Sequence, residues 1–82
     1  MKFKCDQIVL TKALNIVSKA VTNRSTLPIL KGILMEVKED GKLRMVASDH
    51  EITIEETISV SETDRGSIVV QAKLFSDIIR KL

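Results

Sequence analysis

Aromatic side chains are almost absent from this chain of 82 residues, in which Phe3 and Phe75 are the only two. Any core must therefore be aliphatic, and a surface that stacks single-stranded bases on aromatic rings is disfavoured. The one cysteine, Cys5, excludes an internal disulfide. Because Cys5 lies in an alternating apolar pattern, we expect a small buried hydrophobic residue rather than a reactive thiol.

Long apolar runs are also missing. No stretch approaches the roughly 20 residues that cross a membrane, and the start MKFKC lacks the continuous apolar region of a signal peptide. The length leaves room for one core, so we expect one domain or part of one. The sequence predicts a soluble, cytoplasmic protein with no membrane partner.

The patterns that usually carry catalysis are missing as well. The three glycines, Gly32, Gly41 and Gly66, are isolated, so no glycine-rich loop can cradle a phosphate. The polar run from Ser48 to Glu51 contains the single histidine, His50, but adjacent residues of an extended chain point to opposite faces. A polar strand corner is the better interpretation. We predict no catalytic residues, no metal site and no cofactor.

The first part of the chain has the pattern of a short strand followed by an amphipathic helix. Apolar residues alternate with lysines from Met1 to Cys5, and Asp6 is placed to cap a helix that ends near Val21 or Thr22. One face of this helix is apolar and contains Leu10, Leu14, Val17 and Val21. The opposite face is polar, with two lysines and no acid: Lys12, Asn15, Lys19 and Asn23.

The remainder predicts a hairpin, a further strand, and then a second strand–helix pair. Strands at 33–37 and 43–47 are joined by a turn at Asp40–Gly41. A third strand covers 52–60, where Glu56 interrupts the apolar row and indicates a bulge or a sheet edge. Residues 61–66 are predicted as a charged loop and 67–70 as a strand. A helix opens near Ala72, with these residues facing inward: Leu74, Phe75, Ile78, Ile79 and Leu82.

The order β-α-β-β-β followed by β-α predicts an α+β fold with both helices on one face of an antiparallel sheet. The sequence stops within the second helix, so we expect residues 1–82 to form an incomplete domain.

Charge is segregated along the chain, although the formal net charge is only +2. Residues 1–31 carry six basic side chains and one acidic one. Residues 36–65 carry four basic and nine acidic side chains, and residues 66–82 carry three basic side chains and one acidic one. Because the positive segments are predicted as helical and the negative one as sheet, we expect a basic face and an acidic face. Such a field attracts a polyanion to one side only.

Six basic residues are candidates for contacts with a phosphate backbone: Lys12, Lys19, Arg24, Lys73, Arg80 and Lys81. Binding to duplex DNA without sequence preference needs only such a surface, since counterion release depends on charge. Asp77 lies within helical reach of both Lys73 and Arg80 and can neutralise either. A merely solvated helix face is the alternative interpretation of these positions.

The run NRSTLPIL from Asn23 to Leu30 is specific enough to indicate a protein family. It resembles the N-terminal domain of the bacterial sliding clamp, the beta subunit of DNA polymerase III. That family also begins with a strand like Met1–Phe3. It continues with a Ser/Thr-Asp-x-Glu-Ile corner, matched by Ser48–Ile52, and a helix of the Ala-Lys/Arg-x-Phe-x-Asp-Ile type, matched by Ala72–Ile78. The similarity covers all 82 residues in register.

This resemblance implies a non-catalytic processivity factor: a ring-shaped homodimer whose helices line a hole through which duplex DNA passes. It implies the replicative polymerase and the clamp loader as partners of the full-length protein. Arg24 matches a DNA-contacting arginine of the family, and Lys73 matches a basic residue near the hole. The alternative is a small autonomous α/β module that recruits protein through its sheet or an apolar edge and does not bind DNA.

Overall fold

The computed structural model describes residues 1–21, 32–49 and 51–82. Within these ranges the chain forms six strands and two α-helices. Their bounds are β1 (Lys2–Lys4), α1 (Gln7–Val17), β2 (Gly32–Lys38), β3 (Lys42–Ser48), β4 (Thr53–Ser59), β5 (Ser61–Asp64), β6 (Gly66–Gln71) and α2 (Ala72–Arg80). A 3₁₀ turn at Ser18–Ala20 extends α1, which agrees with the predicted end of the first helix near Val21.

Four strands form one antiparallel sheet in the order β4-β3-β2-β6, and β1 pairs with β5 in a separate two-stranded sheet. The β2–β3 hairpin turns at Glu39–Gly41, where Gly41 has a φ of 76°. A left-handed backbone of this kind favours glycine, as the predicted Asp-Gly turn requires.

Helix α1 begins where the sequence places its cap. Oδ1 of Asp6 accepts hydrogen bonds from the backbone N–H groups of Ile8 at 2.8 Å and Val9 at 3.2 Å. These bonds satisfy two donors that lack partners within the first turn of the helix. The helix then buries one stripe against the sheet: Leu10, Ala13, Leu14 and Val17.

Both helices lie on one face of the four-stranded sheet, as predicted. The inward sheet residues Ile33, Met35, Val37, Leu43, Met45 and Ala47 form one core with buried residues of α1 and α2. Burial of such aliphatic side chains supplies the main stabilisation of a fold with so few aromatic residues. The α+β class and the helix placement are confirmed.

The second helix buries a different stripe from the one predicted. Leu74, Ile78 and Leu82 are exposed, at 57%, 51% and 79% of their surface. Ala72, Ser76 and Ile79 are buried instead, and Phe75 is half-buried. The exposed Leu74, Ile78 and Leu82 lie on one side of the apolar face of α2 and the buried Ala72 and Ile79 lie on the other, so the sequence pattern alone did not show which part of this face is covered.

Residues 61–64 were predicted as part of a loop, and this was wrong. They form β5, which pairs with β1, and Oγ of Ser61 donates to the carbonyl oxygen of Lys4 at 3.3 Å. The side chains of β5 are polar and mostly exposed, so backbone pairing with β1 decides its conformation and no apolar alternation marks it.

The interruption at Glu56 corresponds to a sheet edge. Strand β4 pairs with β3 in unbroken register from Lys42–Ser59 to Ser48–Thr53, with Met45 opposite Glu56. There is thus no bulge at this point. Strand β4 is the outer strand of its sheet, which lets the half-buried Glu56 carboxylate approach water.

The run after β3 is a structural corner, as predicted. Oδ1 of Asp49 accepts from the backbone N–H groups of Glu51 and Ile52, both at 2.7 Å, and the Asp49 N–H donates to the carbonyl of Ile52. His50 lies outside the described residues. Among the described residues, no group of three His, Cys, Asp or Glu side chains could hold a metal ion.

An open apolar groove of about 520 Å³ lies between β1, β6 and α2. It is lined mainly by Met1, Phe3, Cys5, Met35, Ile68, Val70, Phe75 and Ile79. Burial raises the pKa of the Cys5 thiol, with a smaller contribution from the Asp6 carboxylate. This favours the neutral thiol and supports the predicted role of Cys5 as a small hydrophobic residue. No helix of the described ranges is long and apolar enough to cross a membrane.

Candidate nucleic-acid interface

The two helices lie side by side, and their outward surfaces form one layer above the sheet. Nε2 of Gln7, at the start of α1, donates to the carbonyl of Ile79 near the end of α2 at 2.7 Å. The same carbonyl also accepts from the backbone N–H of Leu82 at 3.3 Å. The bond from Gln7 fixes the position of one helix end relative to the other.

Three of the predicted basic residues meet at the groove between the helices. A cleft of about 170 Å³ is lined by Lys73 and Arg80 of α2 and by Asn15 of α1. A neighbouring hollow of about 290 Å³ is lined by Lys12 of α1 and again by Arg80. Arg80 therefore connects the two depressions, and Lys12 and Lys73 lie at either side of it.

Asp77 pairs with Arg80, one of its two predicted partners. Nη2 of Arg80 lies 2.9 Å from Oδ1 of Asp77, and Nε of Arg80 donates to the carbonyl of Ser76 at 3.3 Å. Within the described part of the chain, neither Lys73 nor Lys12 forms an ion pair within 4.0 Å. Their full charges are therefore available to an anion, whereas part of the charge of Arg80 is already compensated.

The remaining predicted residues are not brought into this groove. Lys19 and Lys81 are exposed but line neither depression. Arg24 lies outside the described residues, so its role stays a prediction from the resemblance.

Two serines at the cleft were not predicted as site residues. Ser18 and Ser76 line it, and the Oγ atom of each is buried without a hydrogen-bond partner among the described residues. The sequence carries no signal for Ser76, because only the structure shows that it shares a buried stripe with Ala72 and Ile79. A hydroxyl at such a position requires a partner.

The outer face of the sheet has a different charge pattern from the one predicted. Glu36 and Glu55 project from it together with Lys38, Lys42 and Arg44, so this face is not uniformly acidic. Most other acids of the segment lie in turns and on β5. Within the strands, only every second residue projects from this face. The predicted basic helix layer is observed, whereas the predicted acidic sheet face is wrong, because three basic and two acidic side chains project from the outer face.

Arg44 neutralises the acids in the middle of the outer sheet face. Its Nε lies 2.7 Å from Oε1 of Glu55, and its Nη1 lies 3.7 Å from Oε1 of Glu36. The hydrogen bond from Arg44 holds the pKa of the Glu55 carboxyl below its usual value. Arg44 is thus paired on the sheet face, whereas Lys12 and Lys73 of the helix layer form no ion pair among the described residues.

Comparison with known proteins agrees with the fold. The family described as DNA polymerase III beta subunit, N-terminal domain, matches residues 1–82. A beta sliding clamp of Halalkalibacterium halodurans is 41% identical over 90 residues, which cover 100% of this chain and 23% of the relative. The chain thus spans about a quarter of the length of that relative.

Solved structures show the same similarity. The crystal structure of the Bacillus subtilis sliding clamp superposes with a TM-score of 0.90 at 38% identity, over 98% of this chain and 23% of that one. The beta subunit of the Streptococcus pyogenes DNA polymerase superposes with a TM-score of 0.93 at 30% identity, over 100% of this chain and 22% of that one. The chain therefore belongs to the DNA polymerase III beta subunit family and corresponds to its N-terminal domain.

Proposed function

We propose that this chain is the DNA-facing N-terminal portion of a sliding clamp and that it contacts duplex DNA through the groove between α1 and α2. The observation that carries the proposal is the convergence of Lys12, Lys73 and Arg80 on that groove. Two of these cations have no ion-pair partner among the described residues, so each can replace condensed counterions of a phosphate backbone.

The groove favours binding that is independent of base sequence. Its charged groups among the described residues are lysines and one arginine on the solvent side of two packed helices. Contacts with the phosphate backbone position a protein on the duplex but carry no sequence information directly. A clamp that must move along DNA requires contacts of this type.

The wider role follows from the family. In the full-length protein we propose a homodimeric ring in the cytoplasm that encircles duplex DNA, is loaded by a clamp loader and tethers the replicative polymerase. Members of this family are non-catalytic processivity factors, which agrees with the prediction that the chain is not an enzyme.

The test is a binding series in the full-length clamp with two unrelated duplexes over a range of salt concentrations. We expect Lys73→Ala to weaken binding to both duplexes equally and to reduce the salt slope by about one unit, as for the loss of one phosphate contact. Arg24→Ala should have the larger effect, because a guanidinium can bind phosphate oxygens in a forked geometry.

Arg44→Ala is the control for this series, because Arg44 lies on the opposite face of the sheet and is already paired. It should change duplex binding little. Equal losses for Arg44→Ala and Lys73→Ala, or a loss that depends on base sequence, would show that the helix layer is not the DNA-binding face.

A protein-interaction module without DNA binding is the alternative function. The open apolar groove lined by Phe3, Phe75 and Ile79 is the observation in its favour, because exposed apolar surfaces of this kind mark contact sites. Duplex binding combined with size-exclusion chromatography separates the two. A clamp binds duplex in a salt-dependent way, whereas the module retains no duplex binding at any salt concentration.

A further inference from the structure

We propose that Asp77 limits the affinity of the helix layer for DNA by competing with the phosphate backbone for the guanidinium group of Arg80. This rests on the proposed function and adds a means by which the same site is regulated. The groove between α1 and α2 then holds a duplex less tightly than its cations alone would allow, which suits a protein that must move along DNA.

The guanidinium group of Arg80 is held against its own helix. Its Nη2 lies 2.9 Å from Oδ1 of Asp77, and its Nε donates to the carbonyl oxygen of Ser76 at 3.3 Å. Nε and Nη2 form one edge of the planar group, and an edge of this kind binds two phosphate oxygens in a forked geometry. A phosphate must therefore displace the Asp77 carboxylate before it can use this edge of Arg80.

Arg80 is also the cation at which such competition has the most effect, because it lines both depressions of the groove. Asp77 is the only acidic side chain within residues 7–20 and 72–82, which contain both helices. Lys12 and Lys73 form no ion pair among the described residues. The one acid of the helix layer is thus paired with the cation that the two depressions share.

Helix stability does not account for an acid at this position. Asp77 lies in the last turn of α2, where a negative charge faces the negative end of the helix dipole and is unfavourable. The two side chains of the pair are exposed, with 56% of Arg80 and 44% of Asp77 accessible, and exposed ion pairs contribute little to stability. A pair this weak can be opened by a phosphate, because binding of arginine to a DNA backbone releases counterions.

The experiment compares Asp77→Asn with Glu55→Gln in the full-length clamp and measures duplex binding over a range of salt concentrations. Both substitutions remove one negative charge and release one arginine from an ion pair, but Glu55 lies on the outer face of the sheet. We expect Asp77→Asn to strengthen binding about two- to fivefold, the range for one exposed ion pair. The salt slope should become steeper by up to about one unit, because Arg80 then neutralises a further phosphate. Glu55→Gln should change neither quantity.

A double-mutant cycle with Arg80→Gln tests whether Asp77 acts through Arg80. Asp77→Asn should strengthen duplex binding in the parent but have a much smaller effect in the Arg80→Gln protein, because no guanidinium group is left to release. An equal gain in both backgrounds would overturn the competition, since Asp77 would then act only by repelling the DNA backbone.

Failure of this inference can be distinguished from failure of the proposed function. If the parent binds duplex but Asp77→Asn binds with the same or lower affinity, the competition is overturned and the proposed function stands. An equal gain for Glu55→Gln would also overturn it, because the effect would then follow the net charge of the protein and not the groove. If neither the parent nor any variant binds duplex, the proposed function fails, and the inference fails with it.

Discussion

Both helices have an apolar face, but the face predicted for α1 is covered whereas the face predicted for α2 is covered only in part, and the comparison separates a closed half of the molecule from an open half. In α1, Leu14 and Val17 are almost completely buried, at 1% and 0% exposure. In α2, Leu74 and Ile78 keep more than half of their surface exposed. Amphipathic patterning therefore predicts that a helix has an apolar face but not how much of that face is covered.

The difference follows from what each helix lies on. Helix α1 packs over β3 and β4, whereas α2 contacts α1 and β6 and borders the open apolar groove. A strand and a helix occur in the same order in both places, as β1-α1 and as β6-α2. The open half is where we propose that the rest of a clamp domain packs.

The largest expected effect tests the closed half directly. Leu14→Ala should reduce the free energy of unfolding by about 2–5 kcal/mol, because it deletes a buried side chain and leaves a cavity. Ile78→Ala, in the open half, should stay within about 0.5 kcal/mol. Urea denaturation measures both, and Leu14→Val provides a milder variant if Leu14→Ala does not fold. Similar losses for Leu14 and Ile78 would remove the distinction between the two halves.

The next effect concerns the open half as a contact surface. The chain of 82 residues alone should self-associate or unfold readily, because its small core leaves little surplus over chain entropy and β6 is an unpaired sheet edge. Ile68→Lys in the groove should shift sedimentation toward the monomer. Val69→Lys is a matched control, since the two residues are equally exposed, at 48% and 47%, on opposite faces of β6.

Equal effects of Ile68→Lys and Val69→Lys would show that the groove is not the contact surface. A parent chain that is a monodisperse monomer with the melting temperature of a complete domain would contradict the expectation altogether.

Substitutions at the helix N-caps should change the free energy of unfolding by smaller amounts, with a decrease at α1 and an increase at α2. Asp6→Ala should cost about 1 kcal/mol, since the Asp6 carboxylate accepts from two N–H groups at the start of α1. Helix α2 has Gln71 at the same position, with no side-chain cap bond. Gln71→Asp should therefore stabilise the chain by up to about 1 kcal/mol. Thermal denaturation tests both, and a destabilising Gln71→Asp would mean that strand pairing of β6 outweighs capping at this position.

Much of the fold could be predicted from the sequence because its signals are local. The alternation in β2 and β3, the Asp-Gly turn at Gly41 and the Asp6 cap each depend on a few neighbouring residues, and all were predicted correctly. Strand β5 was missed because its pairing with β1 joins residues 57 and 62 positions apart. The covered stripe of α2 was missed for the same reason, since coverage depends on distant strands.

The candidate site, too, could be predicted from the sequence only in part. Charge type and helical spacing marked Lys12, Lys73 and Arg80, and the structure brings these three together. The partner of Asp77 could not be predicted, because the i,i+3 and i,i+4 spacings are both favourable on a helix. The buried hydroxyl of Ser76 could not be predicted either, since its lack of a partner depends on how α1 packs against α2.

The smallest expected effect concerns the outer surface of the closed half, where Arg44 bonds to Glu55 of β4. The Arg44 hydrogen bond lowers the pKa of Glu55, so the pair stabilises the folded state above the ordinary carboxyl pKa of about 4.3. That contribution is lost as the pH falls through the lower folded value. Both groups are partly exposed, so the effect should be slight. Parent and Glu55→Gln should therefore differ by a small melting-temperature shift at neutral pH that disappears in acid, and Arg44→Gln should behave alike. A difference that persists in acid would assign the stabilisation to side-chain packing on the sheet surface and not to the ion pair.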